Sequence, residues 1–373
     1  MNCHYYTEAL CRSCTELPRP YTEQLTHKQA QAQSRLSAVA TASWLPPVPS
    51  AESGFRNKAK MAIGGSVTAP TLGLLEPGGH GVDLMQCPLY PESMQQAFVP
   101  IREALIAARV PPYELAMRRG EGKYVLLTEA PGTGELMLRF VLRSREAVER
   151  LGKQVPALLA ALPALRVVSA NLLPEHKAVT EGDVEILLTD TSQVRCRINE
   201  LDFQLTPRSF LQTNTEVAAA LYRQARHWIA QAEPATVWDL YCGVGGFARH
   251  AAAPGRAVTG VETTPEAIAA AEASEDQIRW ICADATDWTG AQRTAPDCVI
   301  VNPPRRGIGA RLANWIDQSG AATVLYSSCN IESLARDLGS LRHYRISTAQ
   351  VFDMFPHTTH FETVVMLKRA SGD

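Results

Sequence analysis

Nine cysteines stand in this chain of 373 residues, and Cys329 has the setting best suited to covalent chemistry. It closes the run Val324-Leu325-Tyr326-Ser327-Ser328-Cys329-Asn330, just ahead of a helix-like segment from Ile331 to Leu338. A lone cysteine is most often a buried packing residue. A strand-to-helix turn flanked by Ser328 and Asn330 is different, because a helix N-terminus lowers a thiol pKa and favours the thiolate. A thiolate can add to carbon 6 of a uracil ring and make carbon 5 nucleophilic enough to accept a methyl group. A base must then take the carbon 5 proton before the thiolate can leave. Glu362, in Phe355-Pro356-His357-Thr358-Thr359-His360-Phe361-Glu362, is the candidate. Taken alone, a strand-end carboxylate is more often merely solvated. His357 and His360 are candidates to orient the site or, equally, structural histidines.

A methyl donor needs its own site. Val237-Trp238-Asp239-Leu240-Tyr241-Cys242-Gly243-Val244-Gly245-Gly246-Phe247 reads as a strand running into a glycine-rich turn that opens a helix. Glycines let backbone pass close beneath a ligand. Gly243-x-Gly245-x-x-Ala248 also fits a loose nicotinamide fingerprint. Asp239 is placed to orient the loop or meet a cationic methionine moiety, and Glu262 ends the next strand, where a carboxylate accepts ribose hydroxyls. Both cofactor classes share Glu262. Val301-Asn302-Pro303-Pro304-Arg305 separates them: an Asn-Pro-Pro element at a strand end resembles the substrate-base site of class I methyltransferases. Hydride transfer has no evident use for it. Arg305 stands where amino-group methyltransferases carry a stacking aromatic, and no second cysteine lies in Asn302 to Gly309, as cytosine-C5 enzymes of similar fold would have.

These residues need elements to hold them. From about residue 205 onward, apolar runs ending at Tyr241, Glu262, Ala283, Asn302 and Ser328 alternate with helical stretches such as Pro265 to Ala273. Glu216 to Gln231 carries Val217, Leu221, Ala225, Trp228 and Ile229 on one face. The alternation predicts a parallel, doubly wound sheet with its ligand at the carboxyl ends of the strands. Further upstream, Lys123–Thr128 and Leu136–Leu142 flank Pro131-Gly132-Thr133-Gly134, a hairpin signal, and Val184–Leu188 reads as another strand. The region from Cys3 to Cys87 looks irregular.

Composition bounds the rest. Hydrophobic residues make up 46% and charged ones 20%, so the chain is an ordinary globular one. Net charge is -2, so RNA binding would need local patches rather than a basic whole. No run approaches the roughly 18 apolar residues of a membrane helix, and Met1-Asn2-Cys3-His4-Tyr5-Tyr6 has no secretory pattern. A cytoplasmic, monomeric protein without membrane contact is expected. Phe55-Arg56-Asn57-Lys58-Ala59-Lys60, Arg118 to Tyr124, and Arg139 with Arg143 are candidate RNA contacts or plain surface charge. Cys3, Cys11 and Cys14 cluster, and Cys87 precedes Pro88. Spacing leaves an iron–sulfur cluster and zinc level with each other, and scattered thiols as the plain alternative. Cys196, Cys242, Cys282 and Cys298 read as core residues.

Ser-Cys-Asn at 328–330, Asn-Pro-Pro-Arg at 302–305, the Phe355–Glu362 element and Ser209-Phe210-Leu211-Gln212-Thr213-Asn214 together resemble the RNA uracil-C5-methyltransferase family. The resemblance implies Cys329 as nucleophile and Glu362 as base. It implies Gln212, Tyr241, Glu262 and Asn302 as S-adenosyl-L-methionine contacts, with Asn302 standing where some relatives carry Asp. Asp284 is an adenine contact on fold grounds only. The resemblance tips Cys3, Cys11, Cys14 and Cys87 toward a [4Fe–4S] cluster, and 23S ribosomal RNA toward the substrate. Another ribosomal or transfer RNA site, or a non-catalytic iron–sulfur RNA-binding protein, are the alternatives. The implied fold is α/β: a class I (Rossmann-like) methyltransferase domain over 201–373, behind an N-terminal and central α+β region, 1–200, for the cluster and RNA recognition.

Overall fold

A computed structural model describes residues 1–37, 40–76, 81–176, 179–274 and 277–370. The chain forms two compact units, and it passes between them more than once. One unit comprises Met1–Cys14 with Glu52–Pro207, the other Thr15–Ala51 with Arg208–Asp373. A single boundary after residue 200 misses this. Residues Thr15–Ala51 belong with the carboxy-terminal unit because their helix and strand pack on it.

In that unit eight strands lie in the order Ala40–Trp44, Tyr344–Phe352, Glu362–Arg369, Thr323–Ser328, Cys298–Val301, Thr236–Leu240, Ala257–Glu262, Arg279–Cys282. Neighbours run parallel except around Glu362–Arg369, which is antiparallel to both strands beside it. Thr323–Ser328 and Cys298–Val301 are buried at every residue, as strands covered on both faces must be. Thr236–Leu240 has Cys298–Val301 on one side and Ala257–Glu262 on the other, so the strand order reverses there. That reversal opens the crevice in which doubly wound sheets bind ligands. The helix Thr215–Ala232 buries Val217, Leu221, Ala225, Trp228 and Ile229, as the periodicity predicts.

The helix Tyr21–Leu36 falls in the stretch that looks irregular. Its buried residues are Gln24, Lys28, Ala32 and Leu36, an i, i+4 stripe that is polar in its first half. An apolar-periodicity test cannot detect such a face.

The other unit is α+β. Its seven strands follow the order Gly81–Asp83, Pro70–Leu75, Lys58–Gly65, Gly122–Glu129, Leu136–Leu142, Leu165–Leu172, Val184–Leu187. All pair antiparallel except Leu136–Leu142 with Leu165–Leu172. The helix Glu92–Ala107 lays Met94, Phe98, Ile101 and Leu105 into a core with Ile63, Leu72, Leu127 and Phe140. Strand alternation turns Arg139 to the opposite side from Leu138 and Phe140.

Arg139 is only 3% exposed. Its Nε donates to both carboxylate oxygens of Glu185 at 2.9 Å, and a second arm pairs with Glu181. Asn171 Nδ2 donates to Glu185 at 2.8 Å. Arg139 is therefore structural rather than a phosphate contact. Arg143 is bound to Glu121 at 2.8 Å, and buried Lys123 donates to the Glu175 carbonyl at 2.7 Å. Of the basic candidates, Lys60, Arg118 and Arg119 are exposed. Among the described residues no helix is long and apolar enough to cross a membrane.

Breaking a buried ion pair from one side costs about 3–5 kcal/mol, because the remaining charge is uncompensated. Arg139→Met should lower unfolding free energy by about that much in urea titrations. A loss under about 1 kcal/mol would mean that Glu185 does not depend on Arg139.

Candidate active site

In the ladder between Thr323–Ser328 and Glu362–Arg369, Ser327 lies opposite Val364 and Ser328 opposite Thr363. The ladder ends there; Cys329 follows Ser328 directly, and Glu362 precedes Thr363. Glu362 is 2% exposed, and its carboxylate accepts a hydrogen bond from the Ser327 hydroxyl. Burial pushes its pKa up to about 7, against the opposing pull of that hydrogen bond. A carboxylate so placed is half ionised near neutrality, which suits a group that must accept a proton.

Cys329 does not have the lowered pKa that its helix terminus suggests. Its thiol is half-buried, and desolvation raises the pKa first, followed by the Glu362 charge. Arg305 opposes both. The loss of hydration and a neighbouring anion outweigh the N-terminus of the helix Ile331–Leu338. Asn330 is committed to structure: its Oδ1 accepts the Glu332 N–H at 3.1 Å and its Nδ2 donates to the Arg305 carbonyl at 2.9 Å. The turn at Cys329 is thereby tied to the Asn-Pro-Pro-Arg loop.

The two histidines part company. His360 Nδ1 lies 3.2 Å from the Arg305 guanidinium, and burial followed by Arg305 holds its pKa below the usual value, so the ring is neutral at pH 7. His357 is buried, with Nδ1 3.4 Å from Gln24 Nε2. It faces the amino-terminal helix and is a structural residue.

The crevice side of the sheet holds the other candidates. Gly243 has φ +55°, and a Cβ there would meet nothing within 4 Å, so open room lies against the backbone. A Cβ at Gly245 would come within 2.4 Å of the Trp280 ring, and one at Gly246 within 2.5 Å of the Tyr222 hydroxyl. These last two glycines serve packing, whereas Gly243 leaves a cradle. Glu262 accepts the N–H of Thr263 at 2.8 Å and of Thr264 at 3.0 Å on one oxygen. Its other oxygen accepts the Gly243 N–H at 3.3 Å. Asp239 is fully buried and anchors the Ala248 N–H at 2.8 Å through Oδ2, while its Oδ1 is unpartnered among the described residues. Burial raises its pKa to about 7. Tyr241, at φ +76°, follows the strand and carries its half-buried phenol near Asp284 and Glu262. Gln212 is buried just before the helix Thr215–Ala232.

Asn302 is half-buried, and its side chain makes no hydrogen bond among the described residues. Asp284 Oδ1 instead caps the helix Ala285–Gly290 through Thr286 and Asp287 N–H. Sequence reasoning missed Asp337, which accepts the Ile308 N–H at 2.9 Å and the Tyr326 hydroxyl at 2.7 Å. It pins the end of the loop that begins at Asn302. Ser327 was missed as well, although its place two residues before Cys329 was visible.

In the other unit Cys3, Cys11, Cys14 and Cys87 are half-buried and line one small cavity with Tyr5 and Leu84. Burial, then Cys87 and the other two thiols, raise Cys14 to about 12, and burial raises Cys87 to about 11. Among the described residues no three His, Cys, Asp or Glu side chains are gathered as a single metal ion would need. Cys196, Cys242 and Cys298 are buried, but Cys282 is exposed at the end of an edge strand.

Comparison with known proteins agrees with this geometry. The family model for tRNA (uracil-5-)-methyltransferase matches residues 291–370, and one for a methyltransferase domain matches 238–302. Two curated relatives are the 23S rRNA (uracil(747)-C(5))-methyltransferases of Pectobacterium atrosepticum and Yersinia pestis. The first is 45% identical over 375 residues, covering 99% of this chain and 100% of the relative. The second is 45% identical over 372 residues, covering 98% and 99%. Among solved structures, the Pyrococcus abyssi tRNA (uracil-54, C5)-methyltransferase in complex with S-adenosyl-L-homocysteine matches with a TM-score of 0.79 at 27% identity. That match covers 95% of this chain and 85% of the other. This chain belongs to the RNA uracil-C5-methyltransferase family and is an S-adenosylmethionine-dependent enzyme.

Proposed function

We propose that this enzyme methylates carbon 5 of uracil 747 in 23S ribosomal RNA through a covalent adduct with Cys329, and that Glu362 is its base. The observation that carries the mechanism is the nearness of Cys329 to Glu362: the strand ladder ends at Ser328 opposite Thr363, and the Glu362 charge acts on the thiol that follows. The 45% identity to curated enzymes for uracil 747 over essentially the whole chain supports the substrate. A cytoplasmic location goes with that substrate.

S-adenosylmethionine supplies an electrophilic methyl group when bound. The open backbone at Gly243 fits a ligand lying against the glycine turn, which buried Asp239 holds through the Ala248 N–H. Glu262 retains lone pairs for ribose hydroxyls, and Gln212, Tyr241 and Asn302 complete the contacts. The Cys329 thiolate adds to carbon 6 of uracil, and the displaced electron pair makes carbon 5 the nucleophile. Arg305 favours the thiolate by its charge. After methyl transfer, Glu362 takes the carbon 5 proton, the ring double bond re-forms, and the sulfur leaves with its electron pair. The target base must be unstacked to enter the crevice.

Cys3, Cys11, Cys14 and Cys87 are proposed to hold a [4Fe–4S] cluster. Four thiolates are its usual ligand set. Zinc draws its sulfurs to about 2.3 Å from one point, whereas these four thiols surround a cavity. The role is structural, tying the Met1–Cys14 segment to the turn at Cys87.

Three outcomes test this reading. RNA carrying 5-fluorouridine at position 747, with S-adenosylmethionine, should trap a covalent protein–RNA adduct, since fluorine cannot be removed as a proton. Cys329→Ala should abolish it, and transfer RNA should be a poorer acceptor; no adduct with the intact enzyme would sink the mechanism. In single turnovers with ordinary uridine, adduct decay should quicken about tenfold per pH unit below about 7 and level off above it, because Glu362 must be ionised. Glu362→Gln should remove that limb. Anaerobically purified protein should show broad visible absorbance that Cys87→Ser removes; colourless, zinc-loaded protein would refute the cluster.

A further inference from the structure

The geometry points to the amino-terminal helix Tyr21–Leu36 as the element that positions the catalytic base, with Gln24 and Lys28 as its positioning residues. The inference rests on the role of Glu362 proposed above. Phe352 pairs with Glu362, so residues 353–361 form the connection whose far end carries the base. At its apex His357 has φ +64°, a left-handed conformation rare outside glycine. Such a residue carries backbone strain and persists only where its surroundings over-determine it.

Here the surroundings are the amino-terminal segment. The His357 N–H donates to Gln24 Oε1 at 2.9 Å, and the Glu16 N–H donates to the His357 carbonyl at 2.9 Å. Gln24 Nε2 donates in turn to the carbonyls of Glu16 at 3.0 Å and Arg19 at 2.9 Å. Lys28 Nζ donates to Asp353 Oδ1 at 2.6 Å and to the Phe355 carbonyl at 3.0 Å. The Tyr21 hydroxyl donates to Asp353 Oδ2 at 2.8 Å. Both the start and the apex of the connection are held.

Gln24 is 2% exposed, Lys28 3%, Asp353 0% and His357 1%. Burying these groups is expensive, and well-packed apolar residues of similar volume would stabilise the fold as well or better. What the polar stripe adds is a fixed backbone path into Glu362. The same helix uses Ala32 and Leu36 for ordinary core packing, so its polar half has a separate task.

Glu362 is idle while the thiolate adds and the methyl group moves. It acts only when the C5–H electron pair returns to the ring and expels Cys329. A displaced base therefore slows the second half-reaction alone. Gln24→Ala should lower turnover about 10- to 100-fold, the scale of a misplaced catalytic group. It should also accumulate the methylated protein–RNA adduct with ordinary uridine RNA. Capture of 5-fluorouridine RNA, which needs no base, should keep its wild-type rate. Tyr21→Phe, which deletes one hydroxyl, should shift the same two readouts the same way and decides the matter if Gln24→Ala does not fold. Equal slowing of turnover and of 5-fluorouridine capture, or no adduct with uridine RNA, would overturn the positioning role. Failure of the wild-type enzyme to capture 5-fluorouridine RNA would instead overturn the covalent mechanism beneath it.

Discussion

Side chains on neighbouring strands alternate with a period of two, so the register between Thr323–Ser328 and Glu362–Arg369 decides which residues can meet. As built, Ser327 reaches the Glu362 carboxylate, and the ladder ends at Ser328, one residue before Cys329. A slip of one residue would send Glu362 to the other face and leave a buried hydroxyl in its place. Much of the unit serves this pairing. The buried runs Val324–Tyr326 and Val364–Leu367 fix the register by their cores. Asn330 and Asp337 then tie the turns beyond the strand ends to one another.

Burial also shapes the electrostatics. Cys329 and Glu362 both lose hydration, and each anion makes the other harder to form. Arg305 is the nearby cation that offsets this. Burial and the Glu362 charge together hold the Cys329 thiol above its ordinary pKa.

Much of this was legible in the sequence. The strands ending at Leu240, Glu262, Cys282, Val301 and Ser328 fall within one residue of the ends of the apolar runs. Cys329, Glu362 and Asn302 stood out because their polar neighbours interrupt such runs. Three things were hidden for stated reasons. Tyr21–Leu36 buries glutamine and lysine, so its inward face looks like an outward one. Ala40–Trp44 pairs with a strand some three hundred positions later, and local pattern carries no information about that. Arg139 looked like a surface cation because its partners Glu181 and Glu185 lie on a distant strand and the loop before it. The thiol pKa was misjudged by weighing a helix terminus without knowing the burial.

The interleaved division of the chain has a consequence for its synthesis. Lys28 and Asp353 are separated by 325 residues, and the ribosome adds about 5–20 residues per second. The amino-terminal helix must wait on the order of tens of seconds for its partner. The unit bounded by Glu52–Pro207 is translated in one piece during that interval and can close its own sheet first. The catalytic unit, by contrast, is completed only when its last strand emerges. A nascent chain that stalls early cannot present a finished site, since Glu362 and the helix Tyr21–Leu36 come from opposite ends of the message.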